Sequence, residues 1–419
     1  MTIPSDAECG YLHVGYMRNN GKNVFTLLRI LDGDKNTLAE NDEECSQNKF
    51  ICTLEGKWVR RGSPVNTDDP SLFWRTIKSE NPFLHKTRKT KVNDKTSMTM
   101  VGVVFPEEYS LRKKQDGWVF LMRHLQKVNK NHQEHNALVR PVYAGRVDMA
   151  HRVPFFDLLQ QKKIAVFGAG CLGAPSILEF ARCGVGEIRM LDHDFFDPGT
   201  AVRWPFGMDA AGQLKVVHLA KFIRKNYPYT KARDVVHRLG ITSLAAKKEN
   251  TDLAVLRDIL KDVDMIYDAT TELGLQHLLS DLAAAQKIPY VGISTTQGAW
   301  GGIVIRISPQ STAGCWGCYR HFFAKNKKMR PPADESGFVQ PKGCGDVTYV
   351  GAGFDAQQIA LEGVRAAVST LTQDNEGGYP ALPWDLSVLH LRDGDGSPIP
   401  HTWATFKIDP HPDCRCAND

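Results

Sequence analysis

From about residue 158 onward, predominantly apolar positions come in short runs at 164–167, 187–191, 264–268 and 289–293, the second interrupted by Arg189. Segments of helical length and period lie between and after them, at 174–182, 215–225, 274–286 and 355–371. Largely apolar runs of four or five residues suit strands buried on both faces, and their alternation with helices predicts a doubly wound, Rossmann-like parallel sheet of the α/β class. Later runs at 299–307 and 387–408 read as antiparallel strands, with Asp393-Gly394-Asp395-Gly396 supplying turn chemistry.

Residues 1–155 differ in character. Short apolar runs (24–30, 50–54, 98–105, 118–121) are separated by polar, Lys- and Asn-rich stretches such as 86–95, which predicts an N-terminal α+β module. The expected division is therefore 1–155 and 156–419. The module has no glycine loop. His132 and His135 have helical i, i+3 spacing inside a polar run and read as a solvated helix face rather than a metal site. Glu107-Glu108 reads as a loop or strand-end pair, and Cys9, Cys45 and Cys52 as ordinary thiols without C-x-x-C spacing.

Composition narrows the choices. At 419 residues the chain is long enough for about two or three domains. A net charge of +5 is too mild over that length to demand nucleic acid, and permits an acidic protein partner. No stretch approaches the roughly twenty apolar residues of a membrane span, and the first residues lack a signal-peptide pattern, so a cytoplasmic protein with no membrane partner is expected. Ten cysteines do not make a dense disulfide framework, so clustered ones read as metal ligands or nucleophiles.

The chemistry starts where the first run opens into Gly168-Ala169-Gly170-Cys171-Leu172-Gly173. In G-x-G-x-x-G at a strand-to-helix junction, the first glycine permits a tight turn, the second a close backbone approach to phosphate, and the third helix–strand packing. The helix N-terminus offers N–H groups to an anion. The next strand ends in Asp192, placed to accept from a ribose hydroxyl. Arg203 and Gly212-Gln213-Leu214-Lys215 follow, and two cations near a phosphate chain point to triphosphate chemistry.

In order, the glycine loop, Gly184-Val185-Gly186, Asp192-His193-Asp194, Arg203 and Gly212–Lys215 resemble the E1-like adenylating enzymes. That family contains ubiquitin-activating enzymes and the bacterial ThiF and MoeB activators of sulfur carriers. The Gly199–Trp204 segment and the N-terminal extension look closer to bacterial ubiquitin-like conjugation enzymes. The resemblance implies ATP and Mg²⁺, with Gly168, Gly170, Gly173, Asp192, Asp194, Thr200, Arg203, Lys215 and Asp268 around the nucleotide. It also implies a homodimer in which an arginine upstream of the loop, Arg146 or next Arg152, completes the partner's site. Two positions depart from the family pattern. Thr200 stands where an Asn is usual, and Thr271 replaces the magnesium-associated Asp, leaving Asp268 or Glu272 as substitutes.

By the same resemblance, Cys315, Cys318, Cys414 and Cys416 form a structural Zn²⁺ site, with His411 as a spare ligand because C-x-C is tighter than the usual pair. Cys344 follows a crossover at about 321–345 and becomes the reactive thiol, while Cys171 and Cys183 read as packing. The implied activity is adenylation of a ubiquitin-like protein's C-terminus, thioester formation on Cys344 and transfer to an E2-like carrier. The N-terminal module is the candidate for recruiting a partner. A sulfur-carrier adenylyltransferase yielding a thiocarboxylate, or a non-catalytic NAD-binding Rossmann protein, are the alternatives.

Overall fold

The N-terminal apolar runs pair into one eight-stranded mixed sheet. Its strands are β1 (Cys9–Asn19), β2 (Lys22–Asp32), β3 (Thr37–Glu40), β4 (Cys52–Arg60), β5 (Thr90–Asn93), β6 (Thr96–Ser110), β7 (Lys113–Val128) and β8 (Asn131–Val139). They lie in the order β3-β2-β1-β4-β6-β7-β8, with β5 against β6. Only β4 and β6 run parallel, and a parallel pair needs a crossover. Helix α1 (Pro70–Glu80) supplies it: Asp69 caps its first turn, Pro70 starts it, and Phe73 and Ile77 bury against Val59, Val101 and Val103. Trp58, Met100 and Trp118 belong to a separate cluster built on other strand positions. Helix α2 (Arg146–Ala150) closes this unit.

The computed structural model describes residues 3–41, 50–110, 113–128, 131–142, 146–240, 251–336, 338–339 and 348–417. The chain divides into two units, Met1–Arg152 and Val153–Asp419. Among the described residues no helix is long and apolar enough to cross a membrane.

One local expectation for the first unit changes. His132 and His135 lie on β8, not on a helix; β8 pairs with β7 from Asn131 to Val139 and sets His135 opposite His124. Cross-strand pairing outweighs a local i, i+3 spacing, and Gln133, Glu134 and His135 are exposed on this edge strand. Glu107 and Glu108 lie within β6, still paired to β7. Cys45 falls outside the described residues.

In the second unit, α3 (Phe156–Leu159) leads into β9 (Lys163–Phe167), α4 (Gly173–Arg182), β10 (Glu187–Asp192), α5 (Lys215–Asn226) and β11 (Lys231–Val236). Then come α6 (Asp252–Ile259), β12 (Met265–Asp268), α7 (Leu273–Gln286), β13 (Tyr290–Thr295), β14 (Gly301–Ile307) and α8 (Trp316–Lys325). A short pair, β15 (Phe338–Val339) and β16 (Thr348–Tyr349), precedes α9 (Gly353–Thr372), β17 (Leu386–Arg392) and β18 (Pro398–Phe406). Helix α8 continues through Lys325, so the connection that follows starts later than residue 321.

The sheet order is β11-β10-β9-β12-β13-β14-β17-β18. The first five strands are parallel and the last three join antiparallel. Ile164 and Val166 of β9 face a core made with α4, α5 and α9, while Ala165 and Phe167 face one made with α6 and α7. Both faces are covered, which is why these strands read as largely apolar runs. The chain winds outward from β9 to β11, then returns to β12 on the other side of β9. Open α/β sheets bind ligands at such a switch point, beyond the carboxyl ends of the strands.

Candidate functional site

The glycine loop lies at that switch point. Gly168 has a φ of +86°, and a Cβ there would come within 2.8 Å of the Ala269 carbonyl. At Gly173 a Cβ would meet the Gly168 carbonyl at 1.9 Å, so helix and loop can close only on glycine. Gly170 is different: nothing lies within 4 Å of its added Cβ, and its backbone borders an open cleft of about 790 Å³. Helix α4 begins at Gly173, and the first N–H groups of a helix have no intrahelical acceptor.

The acidic strand end is tied to this loop. Asp192 Oδ2 accepts from the Ala169 N–H at 2.6 Å, and Oδ1 from the Asp194 N–H at 2.8 Å. A carboxylate oxygen has more than one acceptor site, so these bonds leave room for a hydroxyl donor. An antiparallel bridge between Phe195 and Leu214 then brings Gly212–Lys215 back across the same strand end. The Lys215 N–H donates to the Asp194 carbonyl at 3.0 Å, and its ammonium to Asp194 Oδ2 at 2.7 Å.

Thr200 closes a short 3₁₀ turn, its hydroxyl donating to the Asp197 carbonyl at 2.7 Å. Its own carbonyl accepts the N–H groups of Arg203 and Trp204. Arg203 is 9% exposed and lines the cleft. Trp204 is the residue the sequence reading passed over: its indole N–H donates to the Ala169 carbonyl at 2.8 Å, and its ring packs on Phe196 and Phe206. It thereby fastens the arginine segment to the glycine loop.

Beyond β12 the arrangement departs from expectation. Asp268 is fully buried and does not line the cleft; Oδ1 accepts from the Thr270 N–H and hydroxyl at 2.9 and 2.7 Å, and Oδ2 from the Tyr290 hydroxyl at 2.9 Å. Burial raises its carboxyl to about 6. Thr271 lines the cleft with a φ of +60°, a costly conformation for a β-branched residue. Glu272 lines it too, with its carboxylate capping α7 through the Leu275 N–H.

Residues 237–240, after β11, form a further part of the wall that no motif marked. Arg146 opens α2 in the first unit. Cys344 lies outside the described residues. Burial pushes the Cys183 thiol up to about 11, in keeping with a packing role.

A second cluster joins α8 to the C-terminal segment. Cys315, Cys318, Cys414 and Cys416 bring four sulfurs within 4.8 Å of one another, with separations of 3.3 to 3.9 Å along the bonded pairs. Sulfurs about 2.3 Å from a tetrahedral ion would stand roughly 3.8 Å apart, so the donor set fits a soft divalent metal. The packing is close enough that a Cβ at Gly317 would approach Cys414 Sγ to 2.8 Å. His411 is not needed as a ligand: its ring stacks on His321 and its N–H donates to Cys318 Sγ. Asp192, His193 and Asp194 also bring three ligand atoms together, with Asp194 engaged by Lys215.

A doubly wound sheet with this loop, acidic strand end and cation pair defines an E1-like, Rossmann-type α/β domain. The chain belongs to the ThiF family, whose pattern matches residues 149–377. Protein y4oA of Sinorhizobium fredii is 31% identical over 372 residues, covering 86% of this chain and 61% of that protein. An adenylyltransferase and sulfurtransferase of Emericella nidulans is 30% identical over 190 residues, covering 43% of this chain and 36% of that protein. The chain thus spans less than two thirds of the length of these relatives. The crystal structure of E. coli MccB with ATP is similar at a TM-score of 0.46 and 16% identity, over 64% of this chain and 70% of that one.

Proposed function

We propose that this chain is an adenylyltransferase that activates the C-terminal carboxylate of a ubiquitin-like protein with ATP. The observation that supports it most is the convergence of Arg203 and Lys215 on the cleft that holds the glycine loop and Asp192. A triphosphate carries more negative charge than the diphosphate of a dinucleotide cofactor, so two cations beside the glycine loop suit it better. In the proposed step a carboxylate oxygen attacks the α-phosphorus, the bond to the β-phosphate oxygen breaks, and pyrophosphate leaves. Negative charge on the phosphoryl oxygens is what fixed cations and loop N–H groups stabilise.

In this reading Gly168, Gly170 and Gly173 shape the phosphate cradle, Asp192 takes the ribose, and Thr200 helps to place the phosphates through Arg203, whose N–H its carbonyl accepts. Mg²⁺ enters with the nucleotide, and with Asp268 buried, Glu272 is the cleft-lining carboxylate that would hold it. Asp268 acts from behind the cleft by ordering the Thr270 turn. The Cys344 sulfur then attacks the acyl carbon, AMP leaves, and the thioester passes to an E2-like thiol. Arg146 of a second copy, in a homodimer, completes the site. The four-cysteine cluster holds Zn²⁺ and is structural.

A second reading has a specific support. The Emericella nidulans relative is both an adenylyltransferase and a sulfurtransferase, so here a Cys344 persulfide, loaded by a sulfane-sulfur donor, would attack the acyl-adenylate, AMP would leave, and a thiol would reduce the resulting acyl disulfide to release the thiocarboxylate. Both readings share adenylation. Removing either of these largely shielded cations from the phosphate site should cost roughly 2–4 kcal/mol of transition-state stabilisation, about thirty- to a thousandfold in rate. Arg203→Ala and Lys215→Ala are therefore expected to lose ATP–pyrophosphate exchange by that factor in the presence of the carboxylate-bearing partner. Near wild-type exchange in both variants would overturn the assignment.

A further inference from the structure

Along the carboxyl ends of the parallel strands, four segments face the cleft in sheet order: 237–240 after β11, Asp192–Asp194 after β10, the glycine loop after β9, and 269–272 after β12. The first of these is held from outside. Asp252, which opens α6, accepts from His237 Nε2 at 2.7 Å through one oxygen and from the Gly240 N–H at 2.9 Å through the other. One carboxylate thus spans both ends of a four-residue turn, and Gly240 has the φ of +83° that lets the turn close. The His237 hydrogen bond and the Gly240 N–H hold the Asp252 carboxyl below its usual range, so it remains an ionised acceptor. Thr251, one residue before, caps the same helix through the Ala254 N–H, which fixes where the carboxylate stands.

A nucleotide with its phosphates at the glycine loop and its ribose at Asp192 extends in one direction only. The next strand end along the row is that of β11. We propose that Asp252 is a positioning residue for the nucleotide base: by holding His237 and Gly240 it sets the 237–240 turn as the wall against which the base packs. This rests on reading the cleft as an ATP site. Asp252 acts through the turn, and the phosphates at the other end of the cleft do not depend on it.

The two ends can be separated with two probes, MgATP and inorganic tripolyphosphate, titrated calorimetrically against the full chain, with thermal unfolding of each variant measured alongside. Asp252→Ala should weaken ATP by about tenfold and leave tripolyphosphate unchanged. Asp252→Asn, which keeps one acceptor oxygen, should lose less. His237→Ala removes only one of the two bonds and serves if Asp252→Ala does not fold. Unchanged ATP affinity in a folded variant overturns the proposal, as does an equal loss for both probes. Wild-type protein that binds neither probe would overturn the nucleotide reading of the cleft together with the proposal, an outcome distinct from either of those.

Discussion

Asp268 shows how a buried carboxyl can be structural beside a binding cleft. The native carboxyl holds its proton to about pH 6, while an unperturbed one loses it near 3.8. Between those values the native state binds more protons than the unfolded state. Stability from this group is therefore complete below about pH 4 and is lost as pH rises through 6, on the order of 3 kcal/mol in all. Asp268→Asn, whose carbonyl can still accept from Thr270, should remove that slope. Urea unfolding of both proteins from pH 4 to 7 checks it, and parallel curves would sink the idea. Residues of this kind resist reading from sequence because burial comes from distant chain, here Tyr290. Gly168, Gly173 and Lys215 were legible because their type answers a local backbone or charge requirement. Trp204 and Asp252 were not, since each acts through a hydrogen bond to a segment that only the fold brings near.

At the scale of elements, the four-cysteine cluster fastens the start of α8 to the last described turn, a closure over about a hundred residues that pins β17 and β18 between them. Metal binding at such a site is folding free energy. Cys318→Ser, or treatment with a strong chelator, is expected to lower the melting temperature by roughly 5–10 °C. Elemental analysis checks occupancy, and less than about a tenth of an equivalent of zinc in carefully prepared protein would refute a tight site. Parallel strands and their helices were legible here because largely apolar runs mark two covered faces. Strand β8 was not, because polar residues on a sheet edge have no period that separates them from a solvated helix.

For the whole molecule, the second unit carries its own core on both faces of its sheet, with α4, α5 and α9 on one and α6 and α7 on the other. A chain cut to residues 153–419 should therefore unfold cooperatively, and because it lacks Arg146 it should bind MgATP more weakly than the full chain. Calorimetric melting and titration would test this, and a folded fragment with undiminished ATP affinity would remove Arg146 from the nucleotide site. Each sheet also ends in strands unsuited to further pairing. Strand β3 has four residues and β8 opens Asn-His-Gln-Glu-His-Asn; β11 carries Lys231 and Arg233, and β18 begins Pro-Ile-Pro. Short, charged or proline-bearing edges discourage strand addition from another chain. Self-association through these sheets is thereby disfavoured, which protects a molecule with two open sheets from polymerising and leaves helix and loop surfaces as the places where a second copy can dock.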